Sequence, residues 1–230
     1  KNMEPFLLLI TILPPILIVV FFVISDKFQE PNKAIIKVFI LGILITIPAF
    51  IANTFLYEAY KNYYFINKSL SESFLSAAAI EEGLKFLILY FVVYKMNEFN
   101  EPMDGIVYGV CASLGFATLE NIYYVVYLNF DADPIFVAVL RTFTAIPAHG
   151  IFGVIMGYFF MKYSYVSKKK NLFLSFLIPY LLHSFYNYFI SSYFMISLGI
   201  IIISWIIGMK LYVEIWQKQK LKTSEYEPKI

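Results

Sequence analysis

Charge is scarce in this 230-residue chain: 15% of its positions are Asp, Glu, Lys or Arg, against about 25% in an ordinary soluble domain. There is one cysteine, Cys111, one arginine, Arg141, and two histidines, His149 and His183. A single thiol excludes a disulfide framework and any multi-cysteine metal site. So little charge excludes a soluble enzyme and a disordered regulator. The apolar composition excludes a nucleic-acid reader as well, and the net charge of +2 says little about partners, because what matters in a membrane protein is where the cations sit. What fills the chain instead is apolar: 60% of residues are hydrophobic and the mean hydropathy is +0.71. At about 20 residues per membrane-crossing helix, that is enough for about seven spans. No polar stretch is long enough to fold alone, so one domain is expected.

A window of about 19 residues places the spans near 5–24, 34–56, 73–95, 103–127, 135–161, 172–190 and 193–214. The first run is too long for a signal-peptide core and no small-residue cleavage site follows it, so it is kept as a span. The fifth is long enough to tilt or to kink at Pro147. The expected organisation is a transmembrane domain over 1–217, with a chemically active core over 73–190, and a polar tail over 218–230 that frays.

Orientation follows from the cations in short loops. Lys162 and Lys168 to Lys170 follow the fifth span, and Lys210, Lys218, Lys220, Lys222 and Lys229 lie at or beyond the last. The loop between spans four and five has Asp131 and Asp133 and no cation. The C-terminus is therefore expected in the cytoplasm and the N-terminus outside, in a multi-pass protein of the cell membrane.

Ionisable groups at mid-bilayer cost about 2.5–3.5 kcal/mol each on insertion scales, so each needs a reason. Span three carries Glu81, Glu82 and Lys85, span four Glu120, span five Arg141 and His149, and span six His183 and Asn187. Counted from the span ends at about 1.5 Å per residue, Glu81, Glu120, His149 and His183 fall at compatible depths in the outer half of the bilayer. Helical phase agrees: Gly109, Phe116 and Glu120 share a stripe, Ala145, His149, Gly153 and Gly157 recur every fourth residue, and His183 and Asn187 share a face. Lys85 is placed to offset part of the charge of the glutamate pair. Tyr63, Tyr64, Tyr123 and Tyr124 are expected as belt residues at the interface, and Asp104 as a helix cap.

Three glutamates and two histidines at one level point to water activation. A carboxylate in apolar surroundings serves as general base or acid near neutral pH. Glu120, His149 and His183 also make a two-His, one-Glu set of the kind that holds a catalytic zinc. The Glu81/Glu82 pair then supplies the base, with Glu81 first and the two able to exchange roles, and Asn187 or Arg141 meets the oxyanion. The same residues without metal serve to orient the water. A brace for Glu81 and Glu82, or helix–helix hydrogen bonding for Glu120, is the bland alternative.

These residues resemble a known set. Glu81-Glu82-Gly-Leu-Lys85 is similar to the EExxK signature of the PrsW family of intramembrane proteases, Asp104-Gly105-Ile-Val-Tyr108-Gly109 to its DGxxYG stretch, and Gly115-Phe116-Ala-Thr-Leu-Glu120-Asn121 to its GFxxxEN segment. Arg141 with His149, and His183-Ser-Phe-Tyr-Asn187, resemble its last two motifs. The resemblance covers roughly 73–190, in order. A wider relationship is implied with CAAX prenyl endopeptidases and bacteriocin-processing enzymes. The cation's spacing after Glu82, and Glu120 where those enzymes have histidine, favour the PrsW branch. The resemblance implies site-one cleavage of a single-pass membrane protein, such as an anti-sigma factor, on its extracytoplasmic side. It implies either a metalloprotease or a metal-free glutamate mechanism.

The sequence thus describes an all-α polytopic helix bundle that hydrolyses a peptide bond of a membrane-anchored protein in its outer half. It carries zinc as the expected cofactor and has no nucleic-acid partner. A proton-coupled transporter using the Glu/His cluster, a CAAX-type prenyl-protein endopeptidase and a non-catalytic scaffold are the rival readings.

Overall fold

A computed structural model describes residues 5–61, 68–128, 132–190 and 192–221 of the chain. The described residues are helical throughout their ordered elements: α1 (Pro5–Ser25), α2 (Asn32–Tyr60), α3 (Lys68–Leu70), α4 (Ala78–Phe91), α5 (Pro102–Ile122), α6 (Pro134–Phe143), α7 (Ala145–Val166), α8 (Lys169–Ile190) and α9 (Phe194–Leu221), with no strand among them. A π-helical turn over Ser71–Ala77 joins α3 to α4, and a second over Tyr123–Tyr127 extends α5.

Six helical stretches are long and apolar enough to cross a membrane by length and composition: Pro5–Ser25, Asn32–Tyr60, Pro102–Tyr127, Pro134–Val166, Lys169–Ile190 and Phe194–Leu221. The expected third span is helical from Lys68, earlier than its apolar run suggests, and packs against α2, α5 and α8. Glu81, Glu82 and Lys85 in its middle keep it below that apolarity, and all three are buried in the bundle.

The fifth stretch breaks at Thr144, not at Pro147. Thr144 leaves the helical region (φ −121°, ψ −77°) and divides α6 from α7. Proline lacks an N–H and its ring collides with the carbonyl four residues earlier, here that of Phe143. The strain is therefore relieved upstream, and Pro147 sits in the first turn of α7, where a missing donor costs nothing. The last helix also runs further than expected, to Leu221, so Lys218 and Lys220 are helical. The remainder of the expected tail lies outside the described residues, as do Tyr63, Tyr64 and Asp131.

α5 is the axis of the bundle. Its sequence has no apolar side and no polar side, and it is wrapped on every face, mainly by α7 and α2. In lipid, where hydrophobicity does not drive helices together, close approach depends on small residues. Gly105 and Gly109 of α5 face Gly153 and Gly157 of α7 so closely that a Cβ on any of the four would strike backbone of the other helix. On the opposite side of α5, Gly42 of α2 meets the Ala112 carbonyl and Gly115 meets that of Phe39. Two polar bonds lock these faces: Thr46 Oγ1 donates to the Phe116 carbonyl at 3.3 Å and Ser113 Oγ to that of His149 at 2.6 Å. α1, α2, α4, α8 and α9 surround the central pair, with Phe22 of α1 edge-on to Tyr212 of α9 at 5.3 Å.

Gly109→Leu is expected to lower stability by at least about 1–3 kcal/mol, because overpacking at a backbone-to-backbone contact has no room to relax. Gly199→Leu, where nothing lies within 4 Å, should be neutral. Thermal unfolding of both variants in detergent measures the contrast.

Candidate active site

Alternating helix direction brings chemistry to one end of the bundle. Glu81 and Glu82 lie in the first turns of α4, Glu120 and Asn121 in the last turn of α5, and Arg141 in the last turn of α6. His149 lies in the first turns of α7 and His183 and Asn187 in the last turns of α8. The two π-helical turns flank this level, one just before Glu81 and one just after Asn121. Such turns re-aim the side chains beside them and recur at functional sites.

Lys85 organises the interior of the cluster. Its ammonium is fully buried, donates to Glu82 Oε1 at 2.7 Å and contacts His149 Nδ1 at 3.0 Å, and sits 4.5 Å over the Phe116 ring. An ammonium has only donors, so His149 Nδ1 accepts and its Nε2 carries the hydrogen. That N–H donates to Glu120 Oε2 at 3.0 Å. Glu82 Oε1 takes a second bond, from His183 Nδ1 at 2.9 Å, which turns the lone pair of His183 Nε2 toward Glu81 Oε2, 3.9 Å away. The two imidazoles stand edge to face at 5.1 Å.

Arg141 binds the far side of Glu120. Its Nη2 donates to Glu120 Oε2 and its Nε to Asn121 Oδ1, both at 2.7 Å, and its guanidinium lies 4.0 Å over the Tyr124 ring. Asn121 in turn donates to the Thr11 carbonyl of α1 at 2.8 Å. Of the two roles open to Arg141 from sequence, contact with a substrate carbonyl or bracing an acid, bracing is the one seen in its bonds.

A cavity of about 550 Å³ opens onto this cluster, and Glu81, Glu120, Arg141, His149, His183 and Asn187 line it. Glu82 and Lys85 lie behind its wall. All seven candidate residues, with Lys85 beside them, are therefore gathered at one place, in two layers. Tyr124 also lines the cavity, so it is not the belt residue expected from composition. Its position one turn after Glu120 on the same helix was the available signal. Ser113, which holds the His149 backbone, and the Lys85–His149 contact were not legible from spacing, because both join different helices.

The residues that converge closely enough to hold a metal ion are Glu81, His149 and His183, with one ligand atom from each within 4.8 Å of the others. Glu120, expected in that set, instead accepts from Arg141 and His149 on one oxygen. Two imidazoles and a carboxylate are the donor chemistry of a catalytic zinc. Glu81 Oε2 is buried with no hydrogen-bond partner, and the carboxylate on His183 Nδ1 is the usual outer support of a ligating imidazole. The residues present fit a divalent metal, with His149 joining only by exchanging one of its two present bonds.

Comparison with known proteins identifies the family. The profile of the PrsW family intramembrane metalloprotease matches residues 30–213. Protease PrsW of Geobacillus kaustophilus is 37% identical over 179 residues, covering 76% of this chain and 75% of that protein. The protein of the same name from Oceanobacillus iheyensis is 36% identical over 203 residues, covering 86% and 90%, and that of Bacillus subtilis 32% over 206 residues, covering 86% and 90%. No solved structure matches the chain. With six apolar helices of membrane-crossing length and a family match that runs from the second helix into the last, the chain belongs to the PrsW family and is a multi-pass intramembrane protease.

Proposed function

We propose that the cavity hydrolyses a peptide bond of a membrane-anchored protein and that Glu81 is the group that activates the water. One observation carries this reading: of the carboxylates that line the cavity, Glu81 has a buried oxygen, Oε2, with no hydrogen-bond partner, while Glu120 is held by Arg141 and His149; Glu82, whose Oε2 is also unpartnered, lies behind the wall. An unpartnered buried carboxylate is costly unless a reactant or ion completes it. Glu81 takes the proton of the attacking water and returns it to the leaving nitrogen. Glu82 is a positioning residue that fixes the His183 ring, and Lys85 offsets its charge. The N–H groups that Arg141 does not use on Glu120 and Asn121, together with the Asn187 amide, meet the carbonyl oxygen as it gains charge.

Where a metal is bound, Glu81, His149 and His183 are the residues that would hold it, with zinc favoured by the donor set, and the Glu81 carboxylate would then act as a ligand rather than as the free base. A metal there supplies Lewis acidity toward the scissile carbonyl and the water. The substrate class proposed from the family resemblance is a single-pass protein, such as an anti-sigma factor, cut at a site near the extracytoplasmic face. The lysines at the end opposite the cavity, Lys162, Lys168 to Lys170, Lys218 and Lys220, support a cytoplasmic C-terminus in the cell membrane.

Glu81→Gln is expected to reduce cleavage of a membrane-anchored reporter by about 10²–10⁴-fold, the range for removing a general base, with the folded yield unchanged. A rate within tenfold of the parent would remove Glu81 from that role. Glu82→Gln should lose activity and stability together, because it leaves the Lys85 charge buried without its partner, a change worth about 3–5 kcal/mol. Elemental analysis of purified protein is expected to find one zinc per chain, lost in His183→Ala. Full activity in a metal-free preparation would instead establish the glutamate mechanism without metal.

A further inference from the structure

The end of the bundle away from the cavity holds a second group of acids that proteolysis does not use. Asp104 begins α5 and Glu120 ends it, so the two groups are separated by about 24 Å of helix. Asp26 follows α1, Glu101 precedes α5, and both are buried together with Asp104. One carboxylate oxygen from each of the three lies within 4.8 Å of the others. Glu30, which accepts from the Tyr108 hydroxyl at 2.5 Å, adds a fourth carboxylate beside Asp104.

The protein satisfies only part of this cluster. Asp104 Oδ2 caps the helix, accepting from the backbone of Asn100 and Glu101 at 2.7 Å each. Gln219 Nε2, from the end of α9, donates to Asp26 Oδ1 at 2.6 Å and to Glu101 Oε1 at 3.0 Å. Asp104 Oδ1 and Asp26 Oδ2 remain buried with no partner.

We infer that Asp26, Glu101 and Asp104 form a cation site for a hard divalent ion, calcium or magnesium, at this opposite end of the bundle. Carboxylate oxygens without nitrogen or sulfur select such ions. Calcium–oxygen bonds of about 2.4 Å put donors on opposite sides of the ion about 4.8 Å apart, so the observed spread closes around one ion without moving a helix. The two unpartnered oxygens supply ligands that Gln219 and the helix cap leave over. Bound there, the ion ties the α1–α2 connection, the start of α5 and the end of α9, which are far apart in sequence.

The test is titration of the detergent-solubilised full chain with calcium chloride and, separately, magnesium chloride at neutral pH and constant ionic strength. Thermal unfolding and equilibrium dialysis are the readouts. Saturating ion is expected to raise Tm by about 5 °C or more. Asp26→Asn and Glu101→Gln keep the Gln219 contacts, so each is expected to hold or raise the metal-free Tm while weakening ion binding at least about tenfold. The shift must persist in Glu81→Gln, which separates this site from any metal in the cavity. No binding by the parent chain, a shift unchanged in both variants, or a shift lost in Glu81→Gln would overturn the assignment. Stabilisation by acidification with no response to calcium would overturn it too, leaving the acids to share protons among themselves.

Discussion

Lys85 carries an ammonium into the apolar interior, and its contacts set the arrangement of the reactive residues. Its bonds to Glu82 and His149 connect α4 to α7, and through Glu82 to His183 on α8. A buried charge without partners costs several kcal/mol, so once α4 is in the bundle those contacts are nearly obligatory. They also assign hydrogens: the ammonium forces the tautomer of His149, which then donates to Glu120, where Arg141 completes the chain. The outcome is one continuous polar network in which Glu81 is left with an oxygen to offer.

Holding such a network within tenths of an ångström requires helices that cannot slide. The glycine contacts between α5 and α7 and between α2 and α5 provide that, since backbones in contact have no side-chain slack to absorb a shift. The Ser113 bond to the His149 carbonyl couples this rigid seam directly to the site. α6 is a short helix with exposed apolar side chains that packs against α1 and α7 and reaches the site through Arg141. The cavity is lined by α4 and the turn before it, α5, α7 and α8, with a wall from α6.

Much of this was legible without coordinates. Long apolar runs announce spans because a helix must satisfy its own backbone in lipid. Glu81, Glu120, His149 and His183 announce a common level because depth is counted along a straight helix. The i, i+4 repeat of Gly153 and Gly157 marked the packing face for the same reason. The third segment was harder: its charges lower its apolarity, and only its burial against neighbours makes it part of the bundle. The position of the break in the fifth stretch depended on a steric clash acting upstream of Pro147.

Length, apolar patterning and spacing along single helices thus determined the class of protein, one polar level and the residues that meet there. All of these are properties of one segment at a time. Which carboxylate faces the cavity with an open oxygen was decided by tertiary structure alone: Glu81 lines it, its neighbour Glu82 lies behind the wall on Lys85 and His183, and Glu120 is held by Arg141 and His149. Adjacent residues on a helix point about 100° apart, and the partner each one finds depends on the rotation of other helices. Hydrogen bonds discriminate at that scale, and a sequence read one helix at a time does not contain it.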